Sequence, residues 1–531
     1  MLDLIWVEYL TPVIPSRPEH LFTRRTLVLA TLLVWLFGFS AFRSEVSSLQ
    51  GSGFFHFPFW DDWDTPLSFL QSLEIAKPGD IFKELFDQHN ESRKVTTKLL
   101  TVVIERFAVF HSDLTVNISY FVRVITVLIV CLPLLTRSLS GSLDWGVRLS
   151  VIAFSTKLYA VGPANLYNGL WYVQISFFLG ILFAFGCLSA LTVALSLKGM
   201  ALSNEKTFQR SLSIAAGLMG ILSIFSFSGN VLLLPCSIIT ICLMAPSTSL
   251  RSLRQVVRSS PSLVVLSCLV LAIIVFFYGY QSPAHHASLR ANFIDPRYIV
   301  AFLSNFYKYQ PSVLFVLMNA VTGVVLVAMA MAVIWRAARA GGKTPSWEFV
   351  HCISLVFFLF GLGAASSVGR GGTPIGFRAA LADRYNSLSI LFASIVCVCI
   401  VLTLATMLRG RVNGAGSAAS PVRKSLQSTV IASVVLLLVF EMNGLSANAA
   451  WRPHIIKHFS GRQQAVNCMK MYVRAQPDLV DSELSGLNRS CAAALYPNPD
   501  HIAGRFKGSW CRTPVGLPSR TIRELCNDLR G

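Results

Sequence analysis

Apolar runs close to 20 residues long recur along most of this chain, and a lipid bilayer is the solvent that suits so many of them. They fall at about 26–42, 117–135, 147–162, 174–197, 211–227, 230–245, 262–280, 311–334, 349–367, 388–408 and 426–442. A helix is the form in which such a run satisfies its own backbone N–H and C=O groups where no water can. Composition agrees: 53% of the residues are hydrophobic and 13% charged, roughly half the charge of a soluble domain. The expected fold is an all-α polytopic membrane protein with about 11 transmembrane helices. The first run follows a basic stretch but leads to no small-residue cleavage site, so it reads as a span and not as a signal peptide.

Charge sets the orientation. With the N-terminus inside, the inner loops carry Arg24 and Arg25, Arg137 and Arg148, Lys198 and Arg210, Arg251 and Arg254, Arg336 and Arg339, and Arg409 and Arg411. Beyond the first outer loop, the outer side holds basic residues only at Arg290, Arg297 and Lys308, and at Arg370, Arg378 and Arg384. The positive-inside rule then places the N-terminus in the cytoplasm and, for an odd number of spans, the C-terminus outside. Loop anchoring and a basic tail account for the net charge of +19, and no nucleic-acid motif accompanies it.

Cysteine usage points the same way. Eight of the twelve lie in or beside apolar runs, where they behave as small buried hydrophobes. Cys468, Cys491, Cys511 and Cys526 fall together in the polar tail, a pattern that suggests two disulfides in an oxidising compartment. The chain thus divides into a transmembrane domain, 1–445, and a small disulfide-bonded outer C-terminal domain, 446–531.

Polar residues gather on the outer face. The first outer loop, 43–116, is too long for a connector. It opens with "FPFWDDWDTP" (57–66), where Asp61, Asp62 and Asp64 sit among Trp60 and Trp63. A short helix, "IFKELF", is expected after the "KPG" turn with Asp80 as its cap. "DQHNESR" (87–93) follows, and then a second helix from about Arg93 to Phe110. That helix has Leu99, Val102, Val103 and Phe107 on one stripe and Lys98, Glu105 and Arg106 largely off it. Amphipathic helices of this kind lie in the interface plane.

Three further outer loops are polar. "NLYNGLWYVQ" (165–174) lines a sugar pocket or forms an aromatic interface belt. "QSPAHHASLRANFIDPRY" (281–298), with His285 and His286, reads as a solvated loop and not as a metal motif. "GRGGTPIGFRAALADRYN" (369–386) collects Arg370, Arg378 and Arg384, whose forks suit phosphate oxygens or lipid headgroups. Lys157 either snorkels or joins that group.

An acidic pair in the first outer loop, amphipathic helices behind it, many spans and a polar outer tail together resemble the GT-C superfamily of integral-membrane glycosyltransferases. "FWDDWD" followed by "QHNESR" is similar to a bacterial polytopic family whose usual form is Phe-Trp-Asp-Glu-Trp-Asp, then Gln-His-Asn-Glu-His-Arg. The topological resemblance spans 1–442 and the motif resemblance 57–94. It implies a polyprenyl-phosphate-linked sugar as donor, with the superfamily's Asp-Glu pair on Asp61 and Asp62 and the first of these as base. The Arg-Tyr pair that some members use on donor phosphate falls on Arg384 and Tyr385. Two departures stand out: the second carboxylate is Asp and not Glu, and the Trp-Trp-Asp hallmark of oligosaccharyltransferases is missing, so transfer of a whole glycan to asparagine is not expected.

The chemistry asks for the same residue types. Glycosyl transfer needs a carboxylate to take the acceptor's proton and cationic groups where charge develops on the departing phosphate. Asp61 and Asp62 are the catalytic candidates, and Arg370, Arg378, Arg384, Tyr385 and Lys157 are the phosphate candidates. Trp60 and Trp63 stack on a sugar or anchor the interface, and His89, Asn90, Glu91 and Arg93 contact sugar or acceptor hydroxyls or brace the platform. The one cofactor the residues suggest is a divalent cation. Asp62 and Asp64 have the spacing to hold a divalent cation. The expected activity is inverting transfer to a cell-envelope glycan or glycolipid in the outer leaflet of the cell membrane. Competing readings are a flippase for lipid-linked glycan, an envelope polysaccharide polymerase or ligase, and a structural subunit. Against the flippase, no internal repeat is visible and the candidate residues crowd the interface, not midspan.

Overall fold

A computed structural model describes residues 18–50, 62–110, 112–135, 145–197, 205–245, 249–281, 294–305, 346–370, 376–382 and 385–412. It also describes scattered positions in 321–332, 453–470 and 520–524. Among these residues the structure is helical, without strands. Six helices are long and apolar enough to cross a membrane: Val28–Leu49, Asp113–Leu135, Tyr172–Ser196, Ser260–Phe277, Trp347–Arg370 and Asn386–Thr403. The expected span at 147–162 is instead a helix, Trp145–Thr156, that loosens into a π-helical turn at Lys157–Val161. The span at 211–227 starts earlier, in the helix Glu205–Ile224, with charge in its first turn. That at 230–245 is a shorter apolar helix within Ser228–Leu243. The span at 426–442 lies outside the described residues, as do the four tail cysteines, and only scattered positions of 311–334 are described.

In chain order the helices are α1 (Pro18–Gln50), α2 (Ser68–Ile75), α3 (Ile81–Phe86), α4 (Val95–Glu105) and α5 (Asp113–Leu135). Next come α6 (Trp145–Thr156), α7 (Pro163–Leu170), α8 (Ile175–Ser196), α9 (Glu205–Ile224) and α10 (Leu233–Leu243). The rest are α11 (Leu250–Val257), α12 (Ser260–Phe277), α13 (Pro296–Ser304), α14 (Trp347–Arg370) and α15 (Asn386–Val412). Their starts follow local chemistry. Pro261 and Pro296 sit in first turns, where a missing N–H is harmless. The side chains of Ser249 and Asp295 accept from Ser252 and Arg297 backbone N–H groups as caps.

α8 is the centre of the bundle, packed against α5, α9, α10, α12 and α14. Lipid gives helices no hydrophobic reason to associate, so small residues at the contacts supply close packing. A Cβ at Gly186 would come 2.5 Å from Met219 Sδ, at Gly217 2.8 Å from Cys268 Sγ, and at Gly220 2.6 Å from Leu269 Cδ2. The eight cysteines in the described residues are free, and most are buried as expected for small apolar side chains.

One cation is fully enclosed. Arg123 on α5 lies over the rings of Phe42 and Phe178, donating from Nε to Ser119 O (3.1 Å) and from Nη1 to Asn165 O (3.3 Å). Asn165 and Asn168 are buried too: Asn165 Nδ2 donates to Tyr159 O, Ser387 donates to Asn165 Oδ1, and Asn168 Nδ2 donates to Ser387 Oγ. The described side chains of the stretch 165–174 are buried, and its asparagines point into the bundle and not into a pocket. The stretch braces α7 against α5 and α15.

Residues 62–110 form a platform. α3 occupies the expected place, but the Asp80 side chain makes no capping hydrogen bond to it. α4 lies with its apolar stripe outward. Leu99, Val103 and Phe107 are exposed, the last at 72%, while Thr97, Lys98 and Thr101 face the protein. That is the arrangement of a helix lying on a membrane surface. Thr96 fixes α4 to the end of α9, its N–H on Phe225 O and its hydroxyl on Leu222 O. The C-terminal segment returns to this platform: Thr521 N–H donates to Glu105 Oε1 (2.6 Å), and Arg520 donates to Phe107 O. The tail's end and the first loop therefore share a face.

Lys98, 5% exposed, caps the end of α3 by donating to Glu84 O (2.7 Å), Asp87 O (3.1 Å) and Leu85 O (3.3 Å), with the Phe69 ring 5.3 Å away. Burial pulls its pKa down to about 8, against the opposing pull of Asp87 and Glu84. An unfolded chain keeps the usual value of 10.5 and so binds more protons between the two. This lysine therefore adds stability as pH rises through that window, about 3 kcal/mol at most. The melting temperature of the native protein minus that of Lys98→Met should rise by a few degrees between pH 8 and 10. A flat difference would refute the buried ammonium.

Candidate functional site

Between the platform and the bundle lies a cavity of about 270 Å³. Its lining comes from four segments remote in sequence: His89, Asn90, Glu91, Ser92 and Lys94; Trp171, Val173, Gln174, Ser176 and Phe177; Phe227; and Arg370 with Tyr385.

The first of these segments is shaped by a tight turn. His89 and Ser92 exchange backbone hydrogen bonds (2.8 and 2.9 Å), and Asn90 sits at φ +49°, which Asn adopts more readily than most residues. Gln88 clasps Gln281 by two bonds, and Ser92 Oγ accepts from Ser228 N–H. Arg93 turns out of the cavity: its guanidinium donates to the Phe86, Phe276 and Tyr278 carbonyls, tying the ends of α3 and α12 together. Of its two expected roles, hydroxyl contact or brace of the platform, these bonds are those of a brace. The next residue, Lys94, is the one that points in, although it is mostly buried. Sequence reasoning missed it. The only signal was a second cation beside Arg93, four residues before Lys98.

The cations expected to meet a phosphate separate into groups. Arg370, at the end of α14, lines the cavity with Tyr385. Its Nη2 lies 3.5 Å from Glu91 Oε1. Arg378 is exposed on the 3-10 turn Gly376–Leu381 and Lys157 on its π-helical turn, and neither is among the lining residues. Arg384 lies outside the described residues, as do His285, His286 and Arg290. Arg297 pairs with its own helix cap, Asp295 (3.1 Å), and holds that carboxyl below its usual pKa, chiefly through their hydrogen bond.

In the acidic stretch, Trp60, Asp61 and the side chains of Trp63 and Asp64 lie outside the described residues. Asp62 is 2% exposed, and its Oδ1 accepts from Val173 N–H at 2.7 Å. It pins the start of α8, where Val173, Gln174, Ser176 and Phe177 form one cavity wall. Among the described residues, no three His, Cys, Asp or Glu side chains gather in a way that could hold a metal ion. Trp171 offers the cavity an aromatic face of the kind sugars stack on, and Tyr172 behind it packs edge-on to Phe110.

No family model matches the chain, and no curated protein is significantly similar to it. Its fold does resemble solved structures. One is the oligosaccharyltransferase of Archaeoglobus fulgidus in the apo form, with a TM-score of 0.45 and 12% identity over 85% of this chain and 58% of that one. A second is AglB, the archaeal oligosaccharyltransferase from the same organism, in complex with an inhibitory peptide and a dolichol-phosphate (TM-score 0.39, 13% identity, 72% and 49% coverage). This chain spans less than two thirds of either protein, a likeness too loose to transfer an activity.

Proposed function

We propose that this protein is an integral membrane glycosyltransferase. In this reading it moves a sugar, with inversion, from a polyprenyl-phosphate donor to a cell-envelope glycan or glycolipid on the outer face of the cell membrane. The observation that carries the reading is the cavity itself. Two cations, Arg370 and Lys94, share one small interfacial chamber with the carboxylate Glu91 and the indole of Trp171. Lipid-phosphate sugar transfer needs that set: cations on the leaving phosphate, a carboxylate for the acceptor's proton, and an aromatic face for the sugar. In this reading the chamber meets the membrane interface, where a donor anchored by its tail presents its headgroup. Docking of the tail on the first loop fits an outward C-terminus.

The test is direct. Purified protein in a lipid nanodisc, given a polyprenyl-phosphate hexose, should release polyprenyl phosphate. Lys94→Ala should lower that release by about 10- to 100-fold through loss of one charged phosphate contact. No release from any lipid-phosphate hexose would overturn the proposal.

A further inference from the structure

A phosphate site whose best cation already faces a carboxylate must change when substrate arrives. Arg370 and Glu91 lie 3.5 Å apart, with side chains 28% and 25% exposed. That distance is long for a charge-assisted hydrogen bond. Such a pair, open to a wet cavity, is weak enough for a phosphate to displace. The other described carboxylate nearby, Asp62, is closed off and spends Oδ1 on Val173 N–H. The His89 ring nitrogen Nε2 already meets Asn90 Nδ2 at 3.1 Å. Glu91 alone of these combines a place on the cavity wall with a partner that the donor itself would draw away.

We infer that Glu91 is the general base of the transfer, held on Arg370 until the donor's phosphate takes that guanidinium. The inference rests on the glycosyltransferase reading and gives it a residue. When phosphate binds, Arg370 turns its fork to the phosphate oxygens, and Glu91, losing its cation, becomes more basic. The acceptor O–H then gives its proton to the Glu91 carboxylate, and its oxygen forms the new bond to the anomeric carbon. The bond from that carbon to the phosphate oxygen breaks, and its electron pair leaves on the phosphate, next to Arg370 and Lys94. Donor binding thereby arms the base, which keeps a basic carboxylate from acting in an empty site.

The test uses two probes, polyprenyl monophosphate for binding and a polyprenyl-phosphate hexose for turnover, with water as acceptor. Glu91→Gln should cut release of lipid phosphate by about 10²–10⁴-fold. It should also bind polyprenyl monophosphate about threefold more tightly, because no carboxylate competes for Arg370. Glu91→Asp, which keeps the charge on a shorter arm, should retain part of the turnover. A purely structural role would weaken binding and turnover together, and that result overturns the inference. So does full turnover in Glu91→Gln, above all if Asp61→Asn abolishes it. Failure of the underlying reading looks different: the native protein then releases no lipid phosphate at all, and the role of Glu91 falls with it.

Discussion

Arg370→Ala is expected to lower lipid-phosphate release by about 10²–10³-fold and to weaken polyprenyl monophosphate binding in parallel. Two physical losses act together. The departing phosphate loses the fork-shaped donor at the end of α14, and Glu91, 3.5 Å from it, faces an incoming anion without that guanidinium. Lysine at 370 restores the charge but not the planar fork, so Arg370→Lys should fall between, roughly tenfold below the native enzyme. The double variant Arg370→Ala/Glu91→Gln should bind polyprenyl monophosphate better than Arg370→Ala alone by more than the roughly threefold gain expected of Glu91→Gln in the native protein, because the carboxylate repels the anion most strongly where Arg370 no longer offsets it. This non-additivity is what distinguishes a coupled pair from two independent contacts. The same roughly threefold gain from Glu91→Gln in both backgrounds would show that Glu91 and Arg370 act separately.

The sequence made one half of this site visible and hid the other. Period-3.6 patterning marked the apolar stripe through Leu99 and Val103, and the structure keeps it exposed on α4. The polar cluster at 89–91 was legible because polar residues are rare in so apolar a chain, and all three residues line the cavity. The split between Arg93 and Lys94 was not legible. Adjacent side chains diverge according to the backbone path, set here by the His89–Ser92 turn and the left-handed Asn90. Nor did any spacing indicate that Glu91 would meet Arg370, since the two are brought together only by the packing of distant helices. Arg378 and Lys157 belonged with Arg370 on charge alone, and the structure leaves them exposed and off the cavity wall. Composition cannot say which of several outer cations points inward.

Gly180→Ala should destabilise the bundle by about 3 kcal/mol and lower turnover with it, through overpacking compounded by a lost buried hydrogen bond. A Cβ at 180 would lie 2.6 Å from Asn230 Nδ2, 3.1 Å from Phe227 Cβ and 3.4 Å from Ser226 Cβ. Asn230 is fully buried and donates to Ser223 O (3.0 Å), while Ser223 donates back to Gly180 O (2.8 Å). The methyl therefore either displaces the Asn230 amide from its acceptor or pushes α8 away from α9, and in both cases a buried polar group loses its partner. The damage reaches the site because Ser176 and Phe177, one turn earlier on α8, and Phe227 are cavity walls. Gly361→Ala is the matched control. It too lies inside a transmembrane helix, but its nearest neighbour to an added Cβ is Leu232 Cδ1 at 3.4 Å, an ordinary contact. There the gain in helix propensity, about 1 kcal/mol, should dominate. Thermal unfolding in detergent should thus move the two alanine variants in opposite directions. Matching melting curves would mean that α8 and α9 are not packed as closely as Gly180 requires.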